Sequence, residues 1–265
     1  ESWRDDSGLL EQLSKVAFNT NLKYNVKTTE SALSQRMNPW NADVEDTAIV
    51  SARNLVRNTL FFNRNAPGVG FDFTRSSQQV KSLLSGGFEL KEKADWIGNV
   101  RWAFDKVLTV RGNILYGETV NSSDFLESRN YVLNRSEYGG QVVWQPTNKL
   151  RIIGGTSLRS KVTESQSEAF SNISDYQLEM TWIRSGKGNV NATLSWLEID
   201  FEGESNSFLG YELLEALQPG SNQKWSVNWQ QAISGGLQMT LQYFGRKSEE
   251  SSAVHTGSVA VTAFF

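Results

Sequence analysis

The sequence contains no cysteine and only one histidine, His255. Disulfide bonds and thiolate metal ligands are therefore excluded, and a single imidazole does not build a structural zinc site. The formal net charge of −3 is small, whereas proteins that bind nucleic acids present strongly basic surfaces to the phosphate backbone. We therefore expect no nucleic-acid partner, no metal site and no cofactor.

Long apolar runs are also missing, and no stretch approaches the roughly 20 apolar residues that a transmembrane helix needs. The mean hydropathy of −0.43 is nevertheless compatible with a transmembrane β-barrel, because each barrel strand turns only half of its residues toward lipid. No basic and apolar leader follows Glu1. We therefore expect any export signal to have been removed or to lie outside this sequence.

Aromatic residues and strict alternation are the features that the chain does have. It contains 9 Trp, 14 Phe and 7 Tyr, and every second residue from Val259 to Phe265 is apolar. Alternation of this kind indicates a β-strand with one apolar and one polar face. The pattern recurs along the chain and predicts twelve strands, near residues 14–29, 53–64, 69–78, 93–105, 107–120, 135–146, 149–163, 174–185, 189–202, 223–234, 236–247 and 253–265.

The connections between these strands alternate between short and long. Turn residues such as Pro146-Thr147-Asn148 join one set of neighbours, and the predicted long loops cover about 30–52, 79–92, 121–134, 164–173, 203–222 and 247–252. Short periplasmic turns, long extracellular loops and an even strand number are typical of outer-membrane barrels. We predict an all-β fold, a transmembrane antiparallel up-and-down β-barrel of about 12 strands, with a periplasmic lead-in segment at 1–13 and the barrel at 14–265.

Two soluble folds also show alternating strands. A propeller repeats at about 40 to 45 residues but needs four short strands per blade, and only two long segments occur per repeat here. A soluble β-sandwich has strands of about five or six residues, whereas most segments here run to ten or more. The alternative to the membrane barrel is a soluble all-β glycan-binding domain, whose exposed Trp and Tyr rings would bind sugars.

Aromatic residues at the apolar positions of the strand alternation form two groups, which differ in their height along the strands. Such belts are expected at the two interfaces of a membrane, where amphipathic rings are favoured. One group lies near the long loops and consists of Trp96, Tyr116, Tyr138, Tyr176, Trp196 and Tyr243, and the other lies near the tight turns and consists of Phe104, Trp144, Trp182 and Phe265.

The ending of the chain, with Gly257, Val259, Val261, Ala263 and Phe265 on one parity, resembles the C-terminal strand of Gram-negative outer-membrane β-barrels. The resemblance implies that this strand addresses the barrel-assembly machinery. The stretches NTLFFNR, KSLLSGGFE, LQPGSNQKWSVNWQ and FGRKSEESSAVHTG are similar to the C-terminal parts of large Bacteroidota cell-envelope proteins. That similarity implies that the chain is the C-terminal barrel of a longer protein.

Catalytic and metal sites are not predicted. His255 resembles the outward-facing histidine of outer-membrane phospholipases, but Ala253 and Gly257 flank it at two residues, so it lacks a neighbouring nucleophile. Asn41, Asp43 and Glu45 begin like a calcium loop, yet the glycine and the terminal glutamate of that motif are absent. We therefore predict a protein that is not an enzyme, and an outer-membrane enzyme is only the third alternative.

Charged residues on the inward parity are the candidates for lining the lumen. Charges of both signs inside a narrow barrel either pair and fill it or line a pore, and we favour the filled interior. The candidates are Asp72, Arg101, Arg111, Arg151, Arg159, Glu179 and Arg246.

The loop 203–222 contains the amphipathic segment FLGYELLEALQPG. We predict a short helix here that ends at Pro219-Gly220. Five apolar residues share one face of this helix: Phe208, Leu209, Leu213, Leu214 and Leu217. An apolar face must bury itself. We expect this loop to fold back on the barrel mouth as a lid, with docking of a partner as the alternative.

These features together predict a non-enzymatic outer-membrane barrel of a Gram-negative bacterium. Its role would be that of a membrane anchor, a narrow or plugged channel, or a component of a larger envelope or export assembly. Its expected partners are outer-membrane lipids, the assembly machinery and other envelope proteins.

Overall fold

The computed structural model describes residues 14–29, 49–64, 67–85, 87–163, 169–234, 236–249 and 251–264. Within these ranges, two short helical segments interrupt the strands, a 3-10 turn at Glu127–Arg129 and helix α1 at Phe208–Leu214. The strands are β1 (Val16–Thr28), β2 (Ile49–Phe62), β3 (Gly68–Leu84), β4 (Gly87–Ala103), β5 (Leu108–Ser123), β6 (Tyr131–Thr147), β7 (Leu150–Thr163), β8 (Ala169–Arg184), β9 (Gly188–Glu202), β10 (Gly220–Ser234), β11 (Leu237–Ser248) and β12 (Val254–Ala263).

The twelve strands form one antiparallel sheet in which each strand pairs with its neighbours in sequence, in the order β1 to β12. This is the predicted up-and-down order, and the predicted number of strands is confirmed. The predicted lead-in segment 1–13 lies outside the described residues.

One predicted loop is wrong. Residues 79–92 mostly belong to β3 and β4, which pair as far as Leu84 and Gly87. Polar side chains support this extension, because Gln79 Nε2 donates to Glu92 Oε1 at 2.7 Å and the Lys81 ammonium lies 4.4 Å from the Phe88 ring centroid. The connection between β3 and β4 is therefore tight on the side where the sequence predicts a long loop.

Alternate residues lie on opposite faces of the sheet, as the strand geometry requires. We call the face on which α1 packs the inner face and the opposite one the outer face. Exposed apolar side chains cover the outer face, including Phe73, Val100, Leu178 and Leu194. Polar side chains predominate on the inner face, which matches the alternation predicted from the sequence.

Two clusters of buried apolar residues lie on the inner face, near the long-loop end of β6, β8 and β9. A third, smaller cluster is formed by Ile49 and Ala52 of β2. Among the described residues, no helix is long and apolar enough to cross a membrane.

Candidate functional site

Helix α1 covers the inner face at the long-loop end. Ser207 caps its first turn, because the Ser207 Oγ accepts from the Gly210 N–H at 2.9 Å. The helix ends at Leu214, since Glu215 and Ala216 both adopt the left-handed conformation, with φ of 54° and 62°. The predicted end at Pro219-Gly220 is therefore wrong by about one turn.

The apolar side of α1 packs against the wall. Leu213 and Leu214 are only 0% and 3% exposed. Leu213 packs in one cluster with Tyr131, Leu133 and Ala169, and Phe201, Phe208 and Leu209 pack against that cluster. Leu214 packs in a second cluster with Ile173, Leu197 and Ile199, and Phe201 and Leu217 pack against it. All five residues of the predicted apolar face thus lie against the protein's own sheet.

Two carboxylates tie α1 to basic residues of the wall. Glu212 Oε1 lies 2.8 Å from Lys91 Nζ on β4. Glu215 bridges two strand residues, with Oε2 2.8 Å from Arg159 Nη1 and Oε1 2.8 Å from Lys161 Nζ. Because the helix contacts β4 on one side and β9 on the other, the sheet curls around it.

Lys91 and Tyr131 lie closer to the long loops than Trp96 and Tyr116 do. They are therefore beyond the aromatic belt of the long-loop end. Burial is the main cause that raises the pKa of Tyr131, and the Glu212 charge adds to it. Burial alone would lower the pKa of Lys91, but its hydrogen bonds with Glu212 and Tyr131 raise that pKa above its ordinary value. Lys91 therefore remains a cation beside Glu212.

Further ion pairs cross the inner face of the strands themselves. Arg135 on β6 reaches Asp95 on β4 across the intervening β5, where Gly117 is the residue paired with both. A side chain at Gly117 would overlap the Asp95 carboxylate. On the other side of α1, Arg159 Nη2 also lies 3.4 Å from Asp175 Oδ2.

The short-turn end of the inner face has a different character. A cavity there is lined by Asp72, Asn99, Arg101 and Arg111, among others. Arg101 and Arg111 pair directly across β4 and β5, an arrangement of like charges that is unfavourable in itself. Asp72 accepts from Asn99 Nδ2 at 2.7 Å, and Arg101 Nη2 donates to the Asn63 carbonyl at 3.1 Å. Two of the predicted arginines and the predicted Asp72 therefore face the same cavity.

The other predicted lumen residues are spread along the inner face. Arg159 is part of the α1 network described above. Arg151 pairs with Thr181 and Glu179 with Thr193, and Arg246 lies opposite Lys224 at the long-loop end of β11. Together with Asp72, Arg101 and Arg111, all seven predicted residues lie on the inner face, but they do not form a single site.

The predicted aromatic belts are brought together by strand register. Trp96 pairs with Tyr116, and Tyr176 pairs with Trp196. The Tyr116 and Tyr138 hydroxyls are hydrogen bonded, with their rings edge to face. Near the tight turns Trp144 pairs with Leu108 and Trp182 with Leu150, while the ring of Phe104 stacks on Trp102 at 4.1 Å.

His255 lies on the outer face of β12. Its Nδ1 is 2.8 Å from the Tyr243 hydroxyl, and its ring lies 5.7 Å from that of Trp225. Gly257, Val259, Val261 and Ala263 follow it on the same face of β12. Phe265, the last residue of the predicted assembly signal, lies outside the described residues, as do residues 41–45 of the calcium-like segment. Within the described ranges, no group of three or more histidine, aspartate or glutamate residues is arranged to hold a metal ion.

Sequence reasoning missed most of the wall residues that hold α1. Tyr131 and Leu133 fall in the predicted loop 121–134, and the sequence pattern gives no signal for Glu212, Glu215, Lys91 and Lys161. A usable signal was present in β9, where Leu197, Ile199 and Phe201 place three apolar residues in succession on the otherwise polar inner face. Such a break in the pattern indicates that something covers this part of the face.

Comparison with known proteins places the fold in a class. No protein-family model matches the sequence, and no curated protein matches it. The siderophore receptor PirA from Acinetobacter baumannii is similar in structure, with 8% sequence identity, a TM-score of 0.61, and coverage of 94% of this chain and 41% of the receptor. The ferric enterobactin receptor PfeA from Pseudomonas aeruginosa, as a G324V mutant, gives 10% identity, a TM-score of 0.61, and coverage of 93% and 41%.

The translocator domain of the autotransporter NalP from Neisseria meningitidis also matches, with 11% identity, a TM-score of 0.39, and coverage of 98% of this chain and 95% of that domain. The chain thus spans about two fifths of the length of the two receptors. The two receptors, which have the higher TM-scores, are Gram-negative outer-membrane β-barrels. The predicted fold class is confirmed, and the predicted outer-membrane location agrees with these comparisons. The similarity to Bacteroidota envelope proteins stays a prediction.

Proposed function

We propose that this chain is a non-catalytic wall of an outer-membrane β-barrel that anchors a larger envelope protein or assembly in the membrane, with an interior occluded by helix α1. The observation that carries the proposal is the combination of an exposed apolar outer face with a covered and ion-paired inner face.

The outer face supports the membrane location. Leu178 and Leu194 are each 50% exposed, and they belong to a continuous apolar band rather than to isolated patches. Soluble monomeric proteins rarely expose contiguous apolar surfaces of more than a few hundred Å². Aromatic pairs such as Trp96 with Tyr116 border the band on one side, and Trp144 and Trp182 border it on the other. This order by height is the order expected for membrane interfaces.

The same order argues against the soluble alternative. A glycan-binding domain gathers its exposed Trp and Tyr rings at one binding surface, whereas the rings here are distributed over many neighbouring strands at two heights. A membrane barrel accounts for both belts and for the aliphatic residues between them.

The inner face supports occlusion. The helix presents Leu213 and Leu214 to one side of the wall, while Glu212 and Glu215 bind basic residues of β4 and β7. Displacing α1 would expose the leucines and separate Lys91 from Glu212 and Lys161 from Glu215, which is costly for partly buried charges. We therefore infer a stably seated plug rather than an open pore.

Membrane fractionation and planar-bilayer recording test the proposal in two steps. The purified protein should require detergent, fractionate with the outer membrane and migrate differently before and after heating. When the complete envelope protein is inserted in a bilayer, we expect conductance near zero. Solubility and a monomeric state without detergent would favour the glycan-binding domain. A large and steady conductance, which the arginines of the short-turn end would make anion-selective, would instead show an open channel.

A further inference from the structure

The two outermost strands of the sheet each have a single neighbour. β1 pairs with β2, and β12 pairs with β11, and no ladder joins β1 to β12 within the described part of the chain. Close Cα approaches run along every consecutive pair of strands, but β1 and β12 do not lie side by side. The described sheet therefore has two open edges.

The exposure of β12 leads to the same conclusion. All of its residues, Val254–Ala263, are exposed on both faces. On the inner face of β9, by contrast, Thr193 and Ser195 are half-buried and Leu197 is buried. A strand that has a neighbour along both edges does not expose its inward residues in this way. A neighbour is therefore missing along the free edge of β12.

The hydrogen-bond pattern identifies the backbone groups that face the open edges. The Phe264 N–H donates to the Gly236 carbonyl at 2.8 Å. Because bonded and non-bonded pairs alternate in an antiparallel ladder, the even-numbered residues of β12 bond to β11, and the N–H and C=O groups of Val259 and Val261 point away from it. The Asn63 N–H donates to the Lys15 carbonyl at 2.8 Å, and by the same alternation the backbone groups of Phe18 point toward the free edge of β1.

These edges lie at the height of the apolar band. Val259 and Val261 on β12 are 64% and 60% exposed, and Phe18 on β1 is 66% exposed. In hydrocarbon no water bonds to free backbone groups, and for this reason open sheet edges do not occur at this depth of a bilayer. In the membrane, both edges must therefore be paired, either with each other or with further strands.

We propose that the twelve strands form one arc of a wider outer-membrane barrel, in which antiparallel β-strands of the same polypeptide, outside these 265 residues, pair with β1 and with β12. The inference rests on the proposed membrane location. The two siderophore receptors support it, because nearly the whole arc matches only 41% of each receptor chain. A sheet of this shape thus corresponds to a part of one longer outer-membrane chain.

The strand directions add a constraint. β1 starts at the short-turn end of the sheet and β12 finishes there. If the additional strands keep the antiparallel order, the strand beside β12 must run toward the long loops and the strand beside β1 must run away from them. The number of additional strands is therefore even.

Photo-cross-linking in cells that produce the full-length protein tests the proposal. A benzophenone amino acid replaces Val259 on β12 in one variant and Thr20 on β1 in another, and the cross-linked peptides are identified by mass spectrometry. A probe at Leu241 serves as the matched control, because this residue lies between Trp229 on β10 and Val259 on β12 and should cross-link to those strands in every case. Heat-modifiable migration confirms that each variant has folded.

We expect peptides from outside the 265 residues to be attached at both edge probes. Cross-links from Val259 to β1 of the same chain would overturn the proposal in favour of a closed twelve-stranded barrel. Cross-links to β1 of a second, isotope-labelled copy would overturn it in favour of a dimer, and cross-links to lipid alone would show that the edges are uncovered. Recovery of the protein in the outer-membrane fraction tests the proposed function separately.

Discussion

Arg159 on β7 and Glu215, the residue that follows helix α1, form an ion pair with 2.8 Å between Nη1 and Oε2. The pair joins the wall of the sheet to the segment that covers its inner face. Glu215 holds this position in the left-handed conformation, with φ of 54°, which is uncommon for a residue with a side chain. The contact therefore supports both the end of the helix and its seat on the wall.

Removing this carboxylate should loosen the plug. Glu215→Gln leaves Arg159 and Lys161 without their shared acid, and we expect a loss of about 1–2 kcal/mol of stability, since the groups are only partly buried. Thermal unfolding in detergent measures the effect. Glu204→Gln is the matched control, because it removes the same charge from an exposed position in the same loop. Equal losses for both variants would contradict the role of the ion pair.

Ejecting the helix should open a path through the interior. Leu213 is fully buried, so Leu213→Asp places a charge in an apolar cluster, and we expect α1 to leave its seat. Single-protein conductance in planar bilayers should then rise well above the value for the unmodified protein. Tyr211 lies on the same helix and is 63% exposed, so Tyr211→Asp should leave the conductance unchanged. If Leu213→Asp remains as tightly closed as the control, α1 is not what blocks the interior.

The ion pair between Arg135 and Asp95 depends on the absence of a side chain at the position between them. Gly117→Ala introduces a Cβ that overlaps the Asp95 carboxylate, and we expect a destabilisation of roughly 1–3 kcal/mol from overpacking and displacement of the pair. Gly140→Ala, where a Cβ meets no atom within 4 Å, should have little effect. Unfolding midpoints of the two variants, compared in the same detergent, provide the measurement.

Neighbouring residues on one strand should differ in their contact with lipid. Val110 and Leu241 lie on the outer face, whereas Arg111 and Thr240 lie on the inner face. Because the chain has no cysteine, a single introduced cysteine at each position can carry a fluorophore. Lipid-soluble quenchers should act on labels at the first two positions and not at the last two. Similar quenching of all four labels would rule out the membrane-spanning arrangement.

The last residue should matter for assembly rather than for the stability of the folded sheet. By resemblance to outer-membrane barrels, the terminal aromatic side chain is recognised by the assembly machinery, so Phe265→Ser should reduce the amount of heat-modifiable protein in membrane fractions. Phe265→Tyr, which keeps an aromatic ring, should assemble normally. Unchanged membrane levels of Phe265→Ser would remove this role from the C-terminal strand.

The sequence by itself determined the strand number, the order of the strands and the division between the two faces. These properties follow from a period of two residues and from local turn chemistry, which are visible along a single strand, as in Val259 to Phe265. The positions of Trp96 and Tyr116 on the outer face and of Arg101 and Arg111 on the inner face were predictable for the same reason.

Only the tertiary structure decided which residues meet. The extension of β3 and β4 through Gln79 and Glu92 was not predictable, because these two polar residues lie on the face that is apolar further along both strands, and Leu83-Leu84 break the alternation. The packing position of α1 was also not predictable from the sequence. Glu215 and Arg159 are 56 residues apart in sequence and meet only because the sheet curls around the helix. Strand alternation is a local property, whereas closure, pairing at the edges and contacts across the interior depend on how far the sheet curves.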